Sequence, residues 1–421
     1  MKLENLQEAD FKFRQHGCCY ETDSENKRSK IVEVLWRVFW GKRKRLQKKN
    51  LGFSFEMKAT KTLIRKAEKG QKQGLPLHKT DKEKNMQGKI SIHHGSGGGK
   101  SRELIENLFR THFSNPVLDK MDDAGVLKLE SKNIAFTTDS FVVKPIFFEG
   151  GDIGRLAISG TVNDLAVMGA KPCALTVSFI IEESFEMEKL RKIVVSMKET
   201  ADEAGVIIAA GDTKVVEKGS ADGIFITTSG IGIIPEGIKI GGAMAKPGDV
   251  VILSGSVGNH GASIITSRKD LGFKTFVKSD VAPLNNLIER MIEETPEIHV
   301  MRDATRGGLA TVLNEIAIQS GVKIEVLEEK IPVKEEVKGV CGLLGLDPLY
   351  LANEGRIVVF VKEEESLKLL DKMRESKYGR GASVIGRVVD NTDEPVVILK
   401  TVGSGGRILD MLSGEPLPRI C

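Results

Sequence analysis

The chain changes rhythm at Met86. Beyond it, short apolar runs of strand character alternate with segments whose apolar residues recur at helical spacing, the pattern of an α/β (α+β) protein. Lys89-Ile90-Ser91-Ile92 opens this part as a strand-like start. Strands are then predicted over 133–138, 173–181, 206–210 and 224–233, with helices over 158–169 and 188–204. Lys246-Pro247-Gly248-Asp249 reads as a turn that closes this first unit. In a second unit, strands are predicted over 250–254, 323–327, 356–362 and 382–389. Its helices are predicted near 259–267, 282–294, 307–320 and 365–375. The segment 401–421 contains Gly, Pro and Leu without periodicity and is expected to be a flexible tail. Four regions result: an extension over 1–85, α/β units over 86–245 and 246–400, and the tail.

Charge sharpens the first boundary. Residues 1–85 hold 22 Lys and Arg against 11 Asp and Glu, a net +11; residues 86–421 hold 40 against 47, a net −7. Clusters such as Lys42-Arg43-Lys44-Arg45, near Trp36 and Trp40, suit a nucleic-acid or membrane-surface arm. A poorly ordered extension, or a start codon assigned too early, accounts for the same composition and is the preferred reading. A nucleic-acid-binding protein would use the arm but leave the acidic body without a task. Aromatic residues, at 5%, are also few for a protein that stacks bases.

The five cysteines, Cys18, Cys19, Cys173, Cys341 and Cys421, are odd in number and scattered. They suggest neither a disulfide framework nor a CxxC metal site. No apolar run reaches the roughly 18 residues of a membrane span, and the start has no signal-peptide pattern. A reducing cytoplasm is expected.

Candidate chemistry lies at element ends. His94-Gly95-Ser96-Gly97-Gly98-Gly99-Lys100-Ser101 has only three residues between Gly95 and Gly99, so it is not a P-loop. It suits a glycine-rich flap over phosphates or a simple mobile loop. Asp139 follows Thr137-Thr138 at a strand end, and Asp164 follows Val162-Asn163 inside an apolar helix. Asp212 lies in Gly211-Asp212-Thr213-Lys214, and Asp303 precedes Ala304-Thr305-Arg306-Gly307-Gly308. Each alone reads as a cap or turn. Together they suit a metal–phosphate site, because magnesium at nucleotides is held by carboxylates and phosphate oxygens. Asp164, flanked by Val162, Leu165 and Val167, needs a cation or donor as partner. Lys214 could bind phosphate or take a proton. Glu354, in Asn353-Glu354-Gly355, is either a turn residue or a general base.

The chain ends Glu415-Pro416-Leu417-Pro418-Arg419-Ile420-Cys421. The prolines stiffen this approach, and a cysteine with nothing after it can enter a narrow pocket tip first. A lipidation signal is excluded, since that needs the cysteine four residues from the end.

From about Ile90 to Cys421 these motifs resemble one family, the hydrogenase-maturation carbamoyl dehydratases (HypE). That family shares a superfamily with aminoimidazole ribonucleotide synthetase, selenophosphate synthetase and thiamine-monophosphate kinase. The resemblance rests on His94-Gly95-Ser96-Gly97-Gly98, Thr138-Asp139-Ser140, Gly211 to Val216, Arg302 to Gly308, Ala352-Asn353-Glu354-Gly355 and the terminal Pro418-Arg419-Ile420-Cys421.

It implies a two-domain synthetase-like fold, with an N-terminal sheet domain that dimerises and a C-terminal α/β domain. It also implies ATP and Mg²⁺ near the dimer interface. Nucleotide contacts are expected at Gly95, Ser96, Gly97, Gly98, Thr138, Asp139, Asn163, Asp164, Gly211, Asp212, Thr213 and Asp303. Metal contacts are expected at Asp139, Asp164, Asp212 and Asp303. A carbamoyltransferase would load Cys421, and ATP would drive dehydration of the carbamoyl group to a thiocyanate, with Lys214 and Glu354 as bases. The cyano group would pass to iron on a scaffold complex of two other maturation proteins. A thiamine-monophosphate-kinase-like enzyme is the alternative; it leaves Cys421 without a function. The extension 1–85 has no counterpart in the family pattern.

Overall fold

A computed structural model describes residues 88–95, 99–120, 127, 129, 133–268, 277–401, 403, 405–411, 417 and 419–421. The extension 1–85, with its tryptophans and Cys18 and Cys19, lies outside the described residues. Lys89 makes only an isolated bridge to Glu186, and a 3₁₀ turn, Ile92–Gly95, stands where a strand was expected. Helical turns follow, α1 (Gly99–Leu104) and α2 (Arg110–Phe113), joined by a π-helical turn over Ile105–Phe109.

The first half is built on a four-stranded sheet in the order β1-β6-β4-β5. Its strands are β1 (Ile134–Phe141), β4 (Lys171–Glu182), β5 (Ile207–Val216) and β6 (Ile224–Ile233). A short hairpin, β2 (Phe147–Phe148) with β3 (Gly151–Asp152), leads into helix α3 (Ile153–Val167). Strands β4 and β5 are parallel because helix α4 (Met187–Ala204) crosses between them. Along β1 burial alternates. Ala135, Thr137, Asp139 and Phe141 turn inward, while Ile134, Phe136, Thr138 and Ser140 lie on an open face. Phe136, 71% exposed, and Ile180 of β4 stand on that same face.

Helix α3 starts earlier than its apolar spacing indicates. Asp152 caps it, accepting from the N–H groups of Gly154 (2.7 Å) and Arg155 (3.1 Å). The helix is buried almost all round. Gly160 permits its close approach to β1, since a Cβ there would meet the Phe141 ring at 2.9 Å.

The second half holds a seven-stranded sheet in the order β13-β12-β9-β11-β7-β10-β8. In chain order its strands are β7 (Val250–Leu253), β8 (Ile298–Asp303), β9 (Val322–Leu327), β10 (Ile357–Val361), β11 (Ser383–Asn391), β12 (Val396–Lys400) and β13 (Gly406–Ile408). Its helices are α5 (Asn259–Ser267), α6 (Asn285–Glu294), α7 (Gly308–Ser320), α8 (Glu335–Leu344) and α9 (Glu363–Arg374). Continuous apolar runs such as Ile357–Val361 are buried on both faces, as a covered central strand requires.

Three expectations change. Strand β5 does not stop at Gly211 but carries Asp212, Thr213 and Lys214 within it, paired to Ser178, Phe179 and Ile180. Strands β8 and β12 and helix α8 were not anticipated. The tail expected to be flexible from 401 includes β13, whose backbone pairs with β12 (Leu399 opposite Arg407). Among the described residues no helix is long and apolar enough to cross a membrane.

Candidate active site

Helix α3 lies between the halves, against β1 and β6 on one side and β8 and α6 on the other. This packing gathers acids that are distant in sequence. Asp139 faces α3 from within β1, and Thr161 Oγ1 of α3 donates to its Oδ2 at 3.4 Å. Asp164, three residues further along α3, accepts from Thr137 Oγ1 at 2.9 Å. Asp303 ends β8, and Glu354 lies buried in the turn entering β10.

The proximity of these acids appears in their proton affinities. Burial, with Asp303 and Asp139 nearby, pushes the Asp164 carboxyl up to about 8. Burial raises Asp303 to about 6, with Arg302 pulling the other way and Asp139 and Glu315 adding to the rise. Glu354 is held well above the carboxylate range, by burial first and then by Asp303, Asp280, Asp139 and Asp164. Its Oε1 is buried without a hydrogen-bond partner. Such a group needs a cation or a donor.

Asp280 completes the cluster, and sequence reasoning missed it. Its side chain is wholly buried and lies 3.8 Å from the Arg356 guanidinium. It accepts from the N–H groups of Glu354 (3.4 Å) and Gly355 (3.2 Å). Gly355 has no room for a side chain, because a Cβ would fall 1.9 Å from the Asp280 carbonyl oxygen. The signal was present in Asp280-Val281-Ala282-Pro283, a carboxylate in apolar surroundings like Asp164.

Other candidates fall elsewhere. Asn163, expected at the nucleotide, ties the halves together: its Nδ2 donates to the Ala282 carbonyl (3.0 Å), and its Oδ1 accepts from Leu284 N–H (2.7 Å). Thr138 lies on the open face, donating to the Thr228 carbonyl and accepting from Ser229. Asp212 and Lys214 are on that face too, at the opposite edge of the sheet, paired to each other at 2.8 Å. Lys214 is the main reason the Asp212 carboxyl is held low. Within one chain these two do not join the carboxylate cluster. Gly211 and Thr213 flank Asp212 in β5, and Gly95 ends the 3₁₀ turn. Ser96, Gly97 and Gly98 lie outside the described residues.

The chain's own terminus is seated beside β1. Val142 N–H donates to a main-chain carboxylate oxygen of Cys421 (3.0 Å) and Lys144 N–H to the Arg419 carbonyl (3.2 Å). Arg419 Nε donates to the Val142 carbonyl (2.8 Å), and its guanidinium pairs with Asp222 and lies over the Phe225 ring. Ile420 is buried in the core of the first half, and Cys421 packs against that core outside any disulfide. Asp139 is three residues from Val142, so the terminal cysteine is seated just beyond the strand that carries Asp139.

A two-domain α/β chain with a carboxylate cluster between its halves defines a class. Residues 121–234 match the family model for the N-terminal domain of AIR synthase related proteins, and residues 246–398 match its C-terminal domain. Carbamoyl dehydratase HypE of Azotobacter vinelandii is 47% identical over 334 residues, 79% of this chain and 98% of that protein. A crystal structure of the hydrogenase maturation protein HypE in complex with ATP superposes with a TM-score of 0.76 at 47% identity, covering 79% of this chain and all of that one. A HypE–HypF complex structure gives a TM-score of 0.65 at 52% identity, over 73% of this chain and 99% of that one. The chain belongs to the HypE family of carbamoyl dehydratases.

Proposed function

We propose that this chain uses ATP to dehydrate a carbamoyl group carried on its own Cys421, giving a thiocyanate that supplies cyanide ligands for [NiFe]-hydrogenase iron. The observation that carries this reading is the seating of Arg419–Cys421 at the end of the strand that holds Asp139.

The carbamoyl sulfur–carbon bond stays intact throughout. The amide oxygen leaves as phosphate after ATP phosphorylates it, and the nitrogen gives up both its protons as the triple bond forms. Glu354 is the proposed acceptor for one of them. Burial and neighbouring carboxylates raise its proton affinity well above the carboxylate range. A cation held by Asp139, Asp164 and Asp303 would lower it again, toward the ionised form a base requires. Its unpartnered Oε1 suits contact with a substrate N–H.

The donor set fits magnesium. The acids are hard oxygen ligands, and Asp139, Asp164 and Asp303 would hold an ion that arrives with phosphates and keeps other ligands. Magnesium would supply charge neutralisation at the transferring phosphoryl group.

Asp212 and Lys214 enter through a second copy. The open face bearing Phe136 and Ile180 is apolar enough to pair with its counterpart, which would carry each chain's Lys214 toward the other's nucleotide. A carbamoyltransferase of the HypF kind would load Cys421. A scaffold complex of two maturation proteins would accept the cyano group onto its iron, in a cytoplasm reducing enough to keep the thiol free. Mass spectrometry of the C-terminal peptide, after incubation with carbamoyl donor, transferase and ATP, should find carbamoylated Cys421 losing one water. Retention of the carbamoyl group with ATP present would refute the reading.

A further inference from the structure

The helix α5 residue His260 is completely buried, and neither the carboxylate cluster nor the nucleotide motifs account for it. Its Nε2 lies 2.8 Å from the carbonyl oxygen of Ile420, the residue that carries Cys421. Its Nδ1 lies 2.8 Å from Ser279 Oγ. The tautomer follows from the neighbours. The Ile420 carbonyl can only accept, so the proton sits on Nε2, aimed at Ile420. In the neutral ring Nδ1 then accepts from the Ser279 hydroxyl, whose oxygen takes Val281 N–H at 3.1 Å. Burial, which holds the imidazole below its ordinary value, keeps this neutral form.

The surroundings fix the ring. Phe148 meets it edge-on with centroids 5.4 Å apart. Ser279 is itself clamped, its N–H donating to the Glu149 carbonyl at 2.8 Å, and the same carbonyl accepts from Ser263 of α5. Gly150 adds to the fit, since a Cβ there would fall 2.9 Å from the Ser279 backbone. The next residue, Asp280, holds the N–H groups of Glu354 and Gly355. One short loop thus sets both the histidine that holds the terminus and the turn that holds the acid.

We propose that His260, oriented by Ser279, is a positioning residue that latches the C-terminal dipeptide through the Ile420 carbonyl and registers Cys421 against Glu354. This rests on the reading of Cys421 as the carbamoyl carrier, and it deepens that reading by naming what holds the carrier in place. A seated tail makes one directional hydrogen bond from a group with no other use. A tail released to meet a transferase leaves Nε2–H buried and unpaired, which favours its return.

The test uses the full chain. Iodoacetamide labelling of Cys421, read on the C-terminal peptide, should speed up at least about fivefold in His260→Leu, and His260→Gln, which can place a donor near Nε2, should restore slow labelling. Cys341, 2% exposed, is the internal control and should stay unlabelled while the fold holds. In single turnover from pre-carbamoylated protein, His260→Leu should slow water loss at least about tenfold, a positioning effect, with the ATP KM unchanged. If His260→Leu does not fold, Ser279→Ala removes the hydroxyl that orients the ring and should also speed Cys421 labelling. Wild-type labelling rates in a folded His260→Leu or, failing that, in Ser279→Ala would overturn the latch. Absence of water loss in the wild type would instead refute the dehydratase reading, and the labelling comparison would still decide the latch.

Discussion

Replacing Asp164 by Asn removes one titrating group from the cluster while keeping the shape of the side chain and an acceptor for Thr137. Burial and the neighbouring acids push the Asp164 carboxyl to about 8, from an ordinary 3.8. The folded chain therefore keeps a proton that the unfolded chain has released. The stability this proton contributes is complete below the unfolded value of 3.8 and is lost as pH rises through about 8. Each unit of such a difference is worth about 1.4 kcal/mol, so the nucleotide-free protein should lose up to about 3.5 kcal/mol on this account between pH 5 and pH 8. Asp164 is only half-buried, and solvent screening brings the expectation to about 2 kcal/mol. Urea unfolding of both proteins at the two pH values, without divalent cation, measures it. The wild type should weaken as pH rises by about 2 kcal/mol more than Asp164→Asn, since groups common to both cancel. Equal pH slopes would refute the claim that the acids repel one another across the two halves. Magnesium with ATP should narrow the gap, because a cation then does what the proton did.

Glu354→Gln should bind ATP normally yet slow dehydration by about a hundredfold or more in single turnover, and unchanged turnover would remove Glu354 from proton transfer. Phe136→Lys puts a charge on the open face and should yield monomers by sedimentation, with dehydration lost because Asp212 and Lys214 no longer reach a second chain; a fully active dimer would exclude that face as the interface. Arg419→Ala, which removes the pairing to Asp222 and the bond to Val142, should speed carboxypeptidase release of Cys421, and wild-type release would show the guanidinium idle.

Much of the fold was legible because local patterning and tertiary context agree. Ile224–Ile233 alternates as an exposed-face strand must, and 188–204 carries an amphipathic stripe; both appear as predicted within a residue or so. Strand β8 escaped because Ile298–Asp303 is short and mixes His299, Arg302 and Asp303 among its apolar residues. Strand β13 escaped because Gly406–Ile408 is a strand only by backbone pairing to β12.

The site divides in the same way. The identities of Asp139, Asp164, Asp303, Glu354 and Cys421 stand out in the sequence, each as an acid or thiol where the surroundings are apolar or the chain ends. Their meeting does not, because it depends on one buried helix, α3, lying between β1 and β8, strands more than a hundred residues apart. The same packing leaves Asp212 and Lys214 on the far edge and turns Asn163 into a strut, distinctions that motif spacing cannot carry. Asp280 and His260 come into view only when the loop 277–284 packs against the turn at Glu354 and against the His260 ring. Side-chain chemistry is written residue by residue, whereas burial and proximity, which set proton affinity and hold the terminal cysteine, belong to the packed whole.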